Sequence, residues 1–226
     1  VKSRSKEFFD VVNPATQEIL SRVPQSTNKE MSAAVEAAST AFPKWRDTSI
    51  QQRQRVMLRF QELINKNMGR LAESITLEQG KTLADAKGDV FRGLEVVESA
   101  CHIAPLMMGE TLGSLTKGLD TYSYKHSLGV CAGICPFNFP AMIPLWMMPM
   151  AIATGNTFVL KPSEKVPGAT IILASLLQKA GLPDGVLNVV HGSKKTVDFI
   201  CDSKEIRAIS FVGSNEAGAY IHERGT

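Results

Sequence analysis

Four short apolar segments in the second half of the chain constrain its fold more than any other feature. They read LGVCAGI, TFVLK, VLNVV and AISFVG, and each is separated from the next by a segment with helical spacing. Near-continuous apolar runs between helices are typical of parallel strands that are buried on both faces of a sheet. The sequence therefore predicts the α/β class, with a doubly wound, mostly parallel sheet and helices on both of its faces.

The beginning of the chain predicts a hairpin followed by a helix. Apolar residues alternate over 8–12 and again over 19–23, and the turn sequence NPAT lies between them. Thr27 and Glu30 have the spacing of a capping box, which marks a helix start. The alanine-rich face of that helix predicts its end near Pro43.

Further helices are expected before the first apolar strand. They begin after Ser49, near Asn67 and after Thr82, and the helix from Asn67 ends at Gly80, a residue type that commonly terminates helices. The polar alternation TYSYKHS then predicts an exposed strand.

Charge and hydropathy argue against two classes of partner. The net charge of +3 comes from 25 basic and 22 acidic residues that are spread along the chain without a basic run, so nucleic acid is not expected. Residues 128–153 are apolar enough to suggest a membrane span. Prolines interrupt that segment, however, and predict a protein interior and no membrane partner: Pro136, Pro140, Pro144 and Pro149.

The four cysteines do not have the pattern of a metal site. Cys131 and Cys135 are close in sequence, but no second pair or nearby histidines complete a zinc ligand set. Because three of the four lie in apolar runs, we expect free thiols in a reducing compartment and no metal.

Polar residues follow the first two apolar strands, and ligands bind doubly wound sheets beyond the carboxyl ends of their strands. Asn138 lies in PFNFP, where its carboxamide could face an oxyanion or could form an ordinary Asx-turn. Lys161 and Glu164 lie on either side of Pro162 and could hold the hydroxyls of a ribose. A surface salt bridge is the alternative for that pair.

Two further features are candidates for ligand binding. Ser214 and the glycines of GSNEAG follow the last apolar strand and begin a helix, whose free amides would suit a pyrophosphate. The dinucleotide fingerprint GxGxxG is absent from the sequence. Arg92 lies off the apolar stripe of the fourth helix, between Gly88 and Gly93, and is either a binding residue or a solvated helix residue.

The order of these motifs resembles the aldehyde dehydrogenase superfamily. The resemblance rests on PFNFP, KPSE and FVGSNEAG on successive strands, with NPAT and LEQGK before them. LEQGKTLADAKGDVFRGLEVVE is more similar to the subfamily of CoA-acylating methylmalonate-semialdehyde dehydrogenases. That resemblance implies NAD-dependent oxidation of methylmalonate or malonate semialdehyde to propanoyl-CoA or acetyl-CoA, with loss of CO2.

The resemblance also implies roles for individual residues and partners. Asn138 would donate to the oxyanion, and Arg92 would bind the substrate carboxylate. NAD contacts are implied for Cys135 and Phe137 at the nicotinamide, for Lys161, Glu164 and Lys165 at the adenosine ribose, and for Ser214 at the pyrophosphate. NAD is the implied cofactor and coenzyme A the co-substrate. The implied assembly is a homo-oligomer, a dimer or a tetramer, in the mitochondrial matrix, or in the cytoplasm if the source is bacterial.

The family pattern divides the chain. Residues 1–111 and 128–226 would form an incomplete NAD-binding domain, and residues 112–127 part of an oligomerisation arm. The sequence ends at Thr226 before the position of the family's nucleophilic cysteine, so the catalytic domain is expected outside this chain. Two alternatives remain open: a hydrolytic aldehyde dehydrogenase that releases a free acid, and a catalytically inactive nucleotide-binding or interaction fragment.

Overall fold

A computed structural model describes residues 3–226. Val1 and Lys2, which open the predicted NAD-binding domain, lie outside the described residues. The predicted hairpin and the predicted helices are confirmed. In chain order the elements are β1 (Phe8–Val12), β2 (Ile19–Pro24), α1 (Asn28–Arg46), α2 (Ile50–Lys66), α3 (Met68–Gln79), α4 (Leu83–Cys101), α5 (Ile103–Leu106), β3 (Thr111–Thr116), β4 (Leu119–Tyr122), β5 (Val130–Ile134), α6 (Met142–Ala153), β6 (Thr157–Lys161), α7 (Gly168–Lys179), β7 (Leu187–Val189), α8 (Lys194–Asp202), β8 (Ile206–Phe211) and α9 (Asn215–Gly225).

The four apolar segments form one parallel sheet with the strand order β7-β6-β5-β8. Every residue of β5 and β6 is buried, which explains their continuous apolar sequences. The outer strands β7 and β8 are partly exposed, as expected for the edges of this sheet. The predicted doubly wound α/β class is confirmed.

Helices cover both faces of the sheet. Side chains of a strand alternate between the two faces, so the apolar strands β5 and β6 present apolar side chains on each face. Val130 and Ala132 point into a core shared with α1, α8 and α9. Cys131, the residue between them, points into the larger core of α6 and α7, behind which α2, α3 and α4 pack. The central strand β5 therefore contributes to both cores.

The apolar segment over residues 128–153 divides into β5 and α6, with Pro136 and Pro140 in the link. α6 lies inside the larger core, and its buried side chains include Leu145 and Met148. Within residues 3–226, no helix has the length and apolarity needed to cross a membrane.

The predicted end of α1 near Pro43 is wrong, since the helix continues to Arg46. Proline has no amide to donate within a helix. The last turn is retained because Trp45 is only 3% exposed and its Nε1 donates to the carbonyl oxygen of Ile152 at 2.9 Å. A tertiary contact thus extends the helix beyond its local stop signal.

The predicted strand over TYSYKHS is also wrong for most of its length. β4 ends at Tyr122, and its partner is β3, with Thr111 opposite Tyr122. Gly118 takes a positive φ of 79° between the two strands and allows the tight turn. The hairpin stands away from both cores, and nearly all of its residues are exposed.

α4 and α6 pack closely because Gly93 of α4 has no side chain. A Cβ at Gly93 would lie 2.6 Å from Cδ1 of Leu145 and 3.1 Å from the main-chain Cα of Met142. A Cβ at Gly88, on the same helix, would meet nothing within 4 Å. Another backbone therefore approaches this helix closely at Gly93 and not at Gly88.

This pair of glycines gives a matched test of the helix packing. Gly93→Ala should reduce the free energy of unfolding by about 1 to 3 kcal/mol, because α6 must move to admit the methyl group. Gly88→Ala should increase it by about 0.5 to 1 kcal/mol, because alanine favours a helix more than glycine does. Urea unfolding followed by circular dichroism measures both values, and equal effects at the two positions would contradict the packing argument.

Candidate functional site

The ends of three adjacent strands lie side by side. Ile134, the last residue of β5, pairs with Lys161 at the end of β6 and with Phe211 at the end of β8. The pairing continues one residue further, since the amide of Cys135 donates to the carbonyl of Lys161 at 3.0 Å and that of Val212 donates to the carbonyl of Ile134 at 3.3 Å. The ends of these strands and the segments after them carry all of the predicted site residues except Arg92, and the segments leave the sheet at the same end, the carboxyl ends of its strands.

Asn138 lies in the link between β5 and α6, with its side chain exposed. Among residues 3–226 the carboxamide has no hydrogen-bond partner, so it does not form the Asx-turn considered as an alternative. Only the main-chain carbonyl of Asn138 is engaged, and it accepts from Nζ of Lys81 at 2.8 Å. The carboxamide is thus available to a ligand at the end of β5.

An ion pair between Lys81, which precedes α4, and Asp89 of α4 supports this link. Nζ of Lys81 lies 3.1 Å from Oδ2 of Asp89 and 4.4 Å from the ring centroid of Phe139. Oδ1 of Asp89 accepts from the amide of Met142 at 2.7 Å. No role was predicted for either charged residue. The available signal was a carboxylate on the apolar stripe of α4, where Asp89 is only 1% exposed.

Lys161 and Glu164 form an enclosed pair and not the surface salt bridge that was the alternative. Lys161 is 4% exposed, and its Nζ donates to the carbonyl oxygens of Pro162 at 2.9 Å and Gly192 at 2.7 Å. The Glu164 carboxylate lies 3.5 Å from the same Nζ and keeps 26% of its side chain exposed. Burial lowers the pKa of Lys161, while Glu164 opposes that shift. Glu164 is the member of the pair that a ligand can reach.

Phe137 and Lys165 form an exposed pair beside Asn138, with Nζ of Lys165 5.2 Å from the ring centroid of Phe137. Cys135 differs from both, because its Sγ lies 3.9 Å from Sδ of Met147 inside the core. Burial raises the pKa of the Cys135 thiol to about 12, so this thiol is inert as a nucleophile. Only the main chain of Cys135 lies at the strand end.

The other cysteines are no more reactive. Burial raises the pKa of Cys101 and Cys131 to about 11 and also raises that of Cys201. Within residues 3–226, no group of three or more His, Cys, Asp or Glu side chains is arranged to hold a metal ion.

Ser214 is the N-cap residue of α9, immediately beyond β8. Its Oγ accepts from the amide of Ala217 at 3.3 Å. The amides of Asn215 and Glu216 have no acceptor within the helix, since the first turn of a helix lacks preceding carbonyls. These amides, with the serine hydroxyl as a further donor, can bind an anionic group.

Arg92 lies on α4, one helical turn beyond Asp89, and its side chain is exposed. Its guanidinium has no hydrogen-bond or ion-pair partner in the described part of the chain. Its main-chain carbonyl accepts from Nε1 of Trp146 at 3.3 Å, which fixes this turn of α4 against α6. Arg92 thus stands on the helix that supports the Asn138 link, with a free cationic group.

The larger grooves lie elsewhere on the molecule. One of about 700 Å³ runs along the open edge of β8 between α8 and α9, and one of about 780 Å³ lies between α1 and β7. No predicted site residue lines either groove. The candidate site is the open surface at the carboxyl ends of β5, β6 and β8, and not a closed pocket.

The chain is similar to known proteins along its whole length. The model of the aldehyde dehydrogenase family matches residues 1–226. The chain is 66% identical over 224 residues to the mitochondrial methylmalonate-semialdehyde dehydrogenase [acylating] of Arabidopsis thaliana. This match covers 99% of the chain and 37% of the Arabidopsis protein. The chain is 64% identical over 226 residues to the mitochondrial methylmalonate-semialdehyde/malonate-semialdehyde dehydrogenase [acylating] of Mus musculus, of which it spans 42%.

A solved structure is similar over the whole chain. It is that of a Sinorhizobium meliloti protein assigned to methylmalonate-semialdehyde dehydrogenase and solved in complex with NAD. The two share 46% identity with a TM-score of 0.97, over 100% of this chain and 46% of that one. The chain therefore spans less than half the length of these relatives.

His191 lies next to the site, in the loop after β7 whose Gly192 carbonyl binds Lys161. Its amide donates to Oγ of Ser26 at 3.0 Å, but its buried Nδ1 has no hydrogen-bond partner among the described residues. Burial, with the nearby positive charge of Lys161, lowers the pKa of the His191 imidazole from 6.5 to about 4. His191 is therefore neutral at pH 7.

This shift predicts a pH-dependent stability. An unfolded chain binds a proton at His191 near pH 6.5, whereas the folded chain binds it only near pH 4. The contribution of neutral His191 is therefore complete above pH 6.5 and is lost as the pH falls to 4, by up to about 3 kcal/mol. Unfolding free energies measured between pH 7 and pH 4.5 should fall more steeply for the wild type than for His191→Asn. Equal slopes would show that burial does not control this imidazole.

Proposed function

Because the chain belongs to the aldehyde dehydrogenase family, we propose that it supplies the NAD-binding part of a CoA-acylating semialdehyde dehydrogenase. The proposed reaction converts methylmalonate or malonate semialdehyde to propanoyl-CoA or acetyl-CoA, with loss of CO2. The observation that carries the proposal is that the segments bearing Asn138, the Lys161–Glu164 pair and Ser214 all lie at or directly after the carboxyl ends of neighbouring strands. The names of the similar proteins support the substrate.

NAD, when bound, would accept a hydride from the substrate carbon. The available carboxylate of Glu164 fits the two hydroxyls of a ribose, and the ammonium of Lys161 holds that carboxylate in place. Lys161 would reach a hydroxyl itself only by exchanging one of its carbonyl partners. Lys165 would lie beside the ribose. The free amides after Ser214 fit the pyrophosphate.

The nicotinamide end would lie at the link after β5. There the exposed ring of Phe137 and the main chain of Cys135 line the edge of the sheet. The Asn138 carboxamide would donate to the aldehyde oxygen as this oxygen gains negative charge during attack by a thiol. Donors placed at a developing oxyanion stabilise the transition state.

The attacking thiol is proposed to come from outside this chain. A nucleophilic cysteine must lose its proton near neutral pH. Burial raises the pKa of all four cysteines, Cys101, Cys131, Cys135 and Cys201, which disfavours that role for each of them. We therefore expect this chain, when isolated, to bind nucleotide without turnover. In the whole enzyme, a product assay with and without coenzyme A separates acyl transfer to CoA from release of a free acid.

The domain division and the setting of the enzyme belong to the same proposal. Residues 1–111 and 128–226 would form the NAD-binding domain, and residues 112–127 part of an oligomerisation arm. The exposed leucines of β3 and β4 support the arm, since a lone two-stranded hairpin needs packing to be stable. A homo-oligomer, dimeric or tetrameric, in the mitochondrial matrix fits the arm and the names of the relatives.

The ribose contact predicts a specific loss of cofactor affinity. Glu164→Gln removes the charge that would accept from the ribose hydroxyls while preserving the shape of the side chain. We expect the dissociation constant for NAD to rise about 10- to 100-fold in isothermal titration of the whole enzyme. Glu62→Gln, which removes the partner of Lys66 at an exposed site on α2, is the control. An unchanged constant in Glu164→Gln would reject the ribose role.

The proposed substrate carboxylate predicts a selective effect at Arg92. Arg92→Leu should raise the Michaelis constant for methylmalonate semialdehyde about 10- to 100-fold and leave that for propanal, which has no carboxylate, nearly unchanged. Steady-state assays of NADH formation give both constants. Arg70→Leu, at an exposed position of α3, controls for loss of a surface arginine. Equal effects on both aldehydes would show that Arg92 does not bind the carboxylate.

A further inference from the structure

The ion pair of Lys81 and Asp89 is bound to the link that carries Asn138. The side chain of Asp89 is fully buried and that of Lys81 is 12% exposed. Burying charges costs free energy unless both are paired and hydrogen-bonded. The partners that complete this pair come from the link: the carbonyl of Asn138 for Lys81, and the amide of Met142 for Asp89.

These two bonds fix the link at its middle and at the point where α6 begins. Lys81 holds the carbonyl of Asn138, midway between β5 and α6. Asp89 holds the amide of Met142, the first residue of α6, whose N-cap position is Ala141 and provides no side-chain cap. Asp89 therefore caps α6 from another helix, and its negative charge lies at the positive end of the α6 dipole.

The free carboxamide of Asn138 depends on this support. Since no side chain or main-chain group among residues 3–226 bonds the carboxamide, the main chain of Asn138 is what sets the position from which this side chain projects. Lys81 binds the carbonyl of that same residue and so resists rotation of the peptide plane. The aromatic ring of Phe139 lies under the same ammonium, which restrains the next residue as well.

We propose that Lys81 and Asp89 are positioning residues that hold the Asn138 carboxamide in the orientation required for oxyanion binding. Neither residue would touch the substrate. The inference rests on the proposed role of Asn138 and adds two residues on which that role depends. Misplacing a reacting group by about 1 Å can reduce a rate on the order of 100-fold.

A double-mutant cycle in the whole enzyme tests the proposal. Asn138→Ala and Lys81→Met should each reduce kcat, with Lys81→Met reducing it on the order of 10- to 100-fold. The double variant should be no slower than Asn138→Ala, because Lys81 acts only through Asn138. The dissociation constant for NAD should stay within about twofold in Lys81→Met, since Glu164 and Ser214 are retained. Lys66→Met, which breaks an exposed ion pair, is the matched control.

Two further variants keep the test independent of folding. Lys81→Arg retains the charge and should recover part of the lost kcat. Asp89→Asn can still accept from the amide of Met142 while removing the ion pair, so it should reduce kcat even if Lys81→Met does not fold. Thermal unfolding of each variant shows whether a lower kcat reflects loss of folded protein.

The outcomes separate this inference from the proposed function. A wild-type kcat in Asn138→Ala would reject the oxyanion role and, with it, the need for positioning. A slow Asn138→Ala enzyme combined with a wild-type kcat in Lys81→Met and Asp89→Asn would reject the positioning role alone. Additive losses in the double variant would also reject it, since Lys81 would then act independently of Asn138.

Discussion

The parallel pairing of β5 with β6 on one side and β8 on the other determines where the candidate site residues at the strand ends lie. The register ends all three strands at one level, with Ile134 between Lys161 and Phe211. A shift of one residue would exchange the two faces of β5 and place each of its side chains in the opposite core. Core packing and site geometry are therefore two consequences of the same register.

Much of this arrangement was predictable because it depends on local sequence patterns. Continuous apolar runs gave the buried strands, and capping residues such as Thr27 and Thr82 marked helix starts that the structure confirms. The position of Lys161 at a strand end was predictable for the same reason. Its enclosure was not, because the carbonyl of Gly192 that binds it comes from a loop 31 residues away.

The errors and omissions share that physical origin. The helix end near Pro43 was a sound local expectation, but the buried indole of Trp45 bonds to α6 and extends the helix. The partners of Asp89 are equally remote in sequence, since Met142 lies 53 positions further along the chain. Local patterns locate elements, whereas the satisfaction of a buried charge depends on which elements meet in three dimensions.

Lys81 and Lys161 form the same kind of contact, with different results for the site. Each ammonium is paired with a carboxylate and donates to a main-chain carbonyl of a loop at the sheet edge: Lys81 to Asn138 and Lys161 to Gly192. Each therefore ties a loop to the framework through a charge-assisted bond. The carboxylates differ, because Asp89 is fully buried while Glu164 keeps part of its side chain exposed. Asp89 has its oxygens committed to the protein and can only support the site, whereas Glu164 retains acceptor capacity for a ligand.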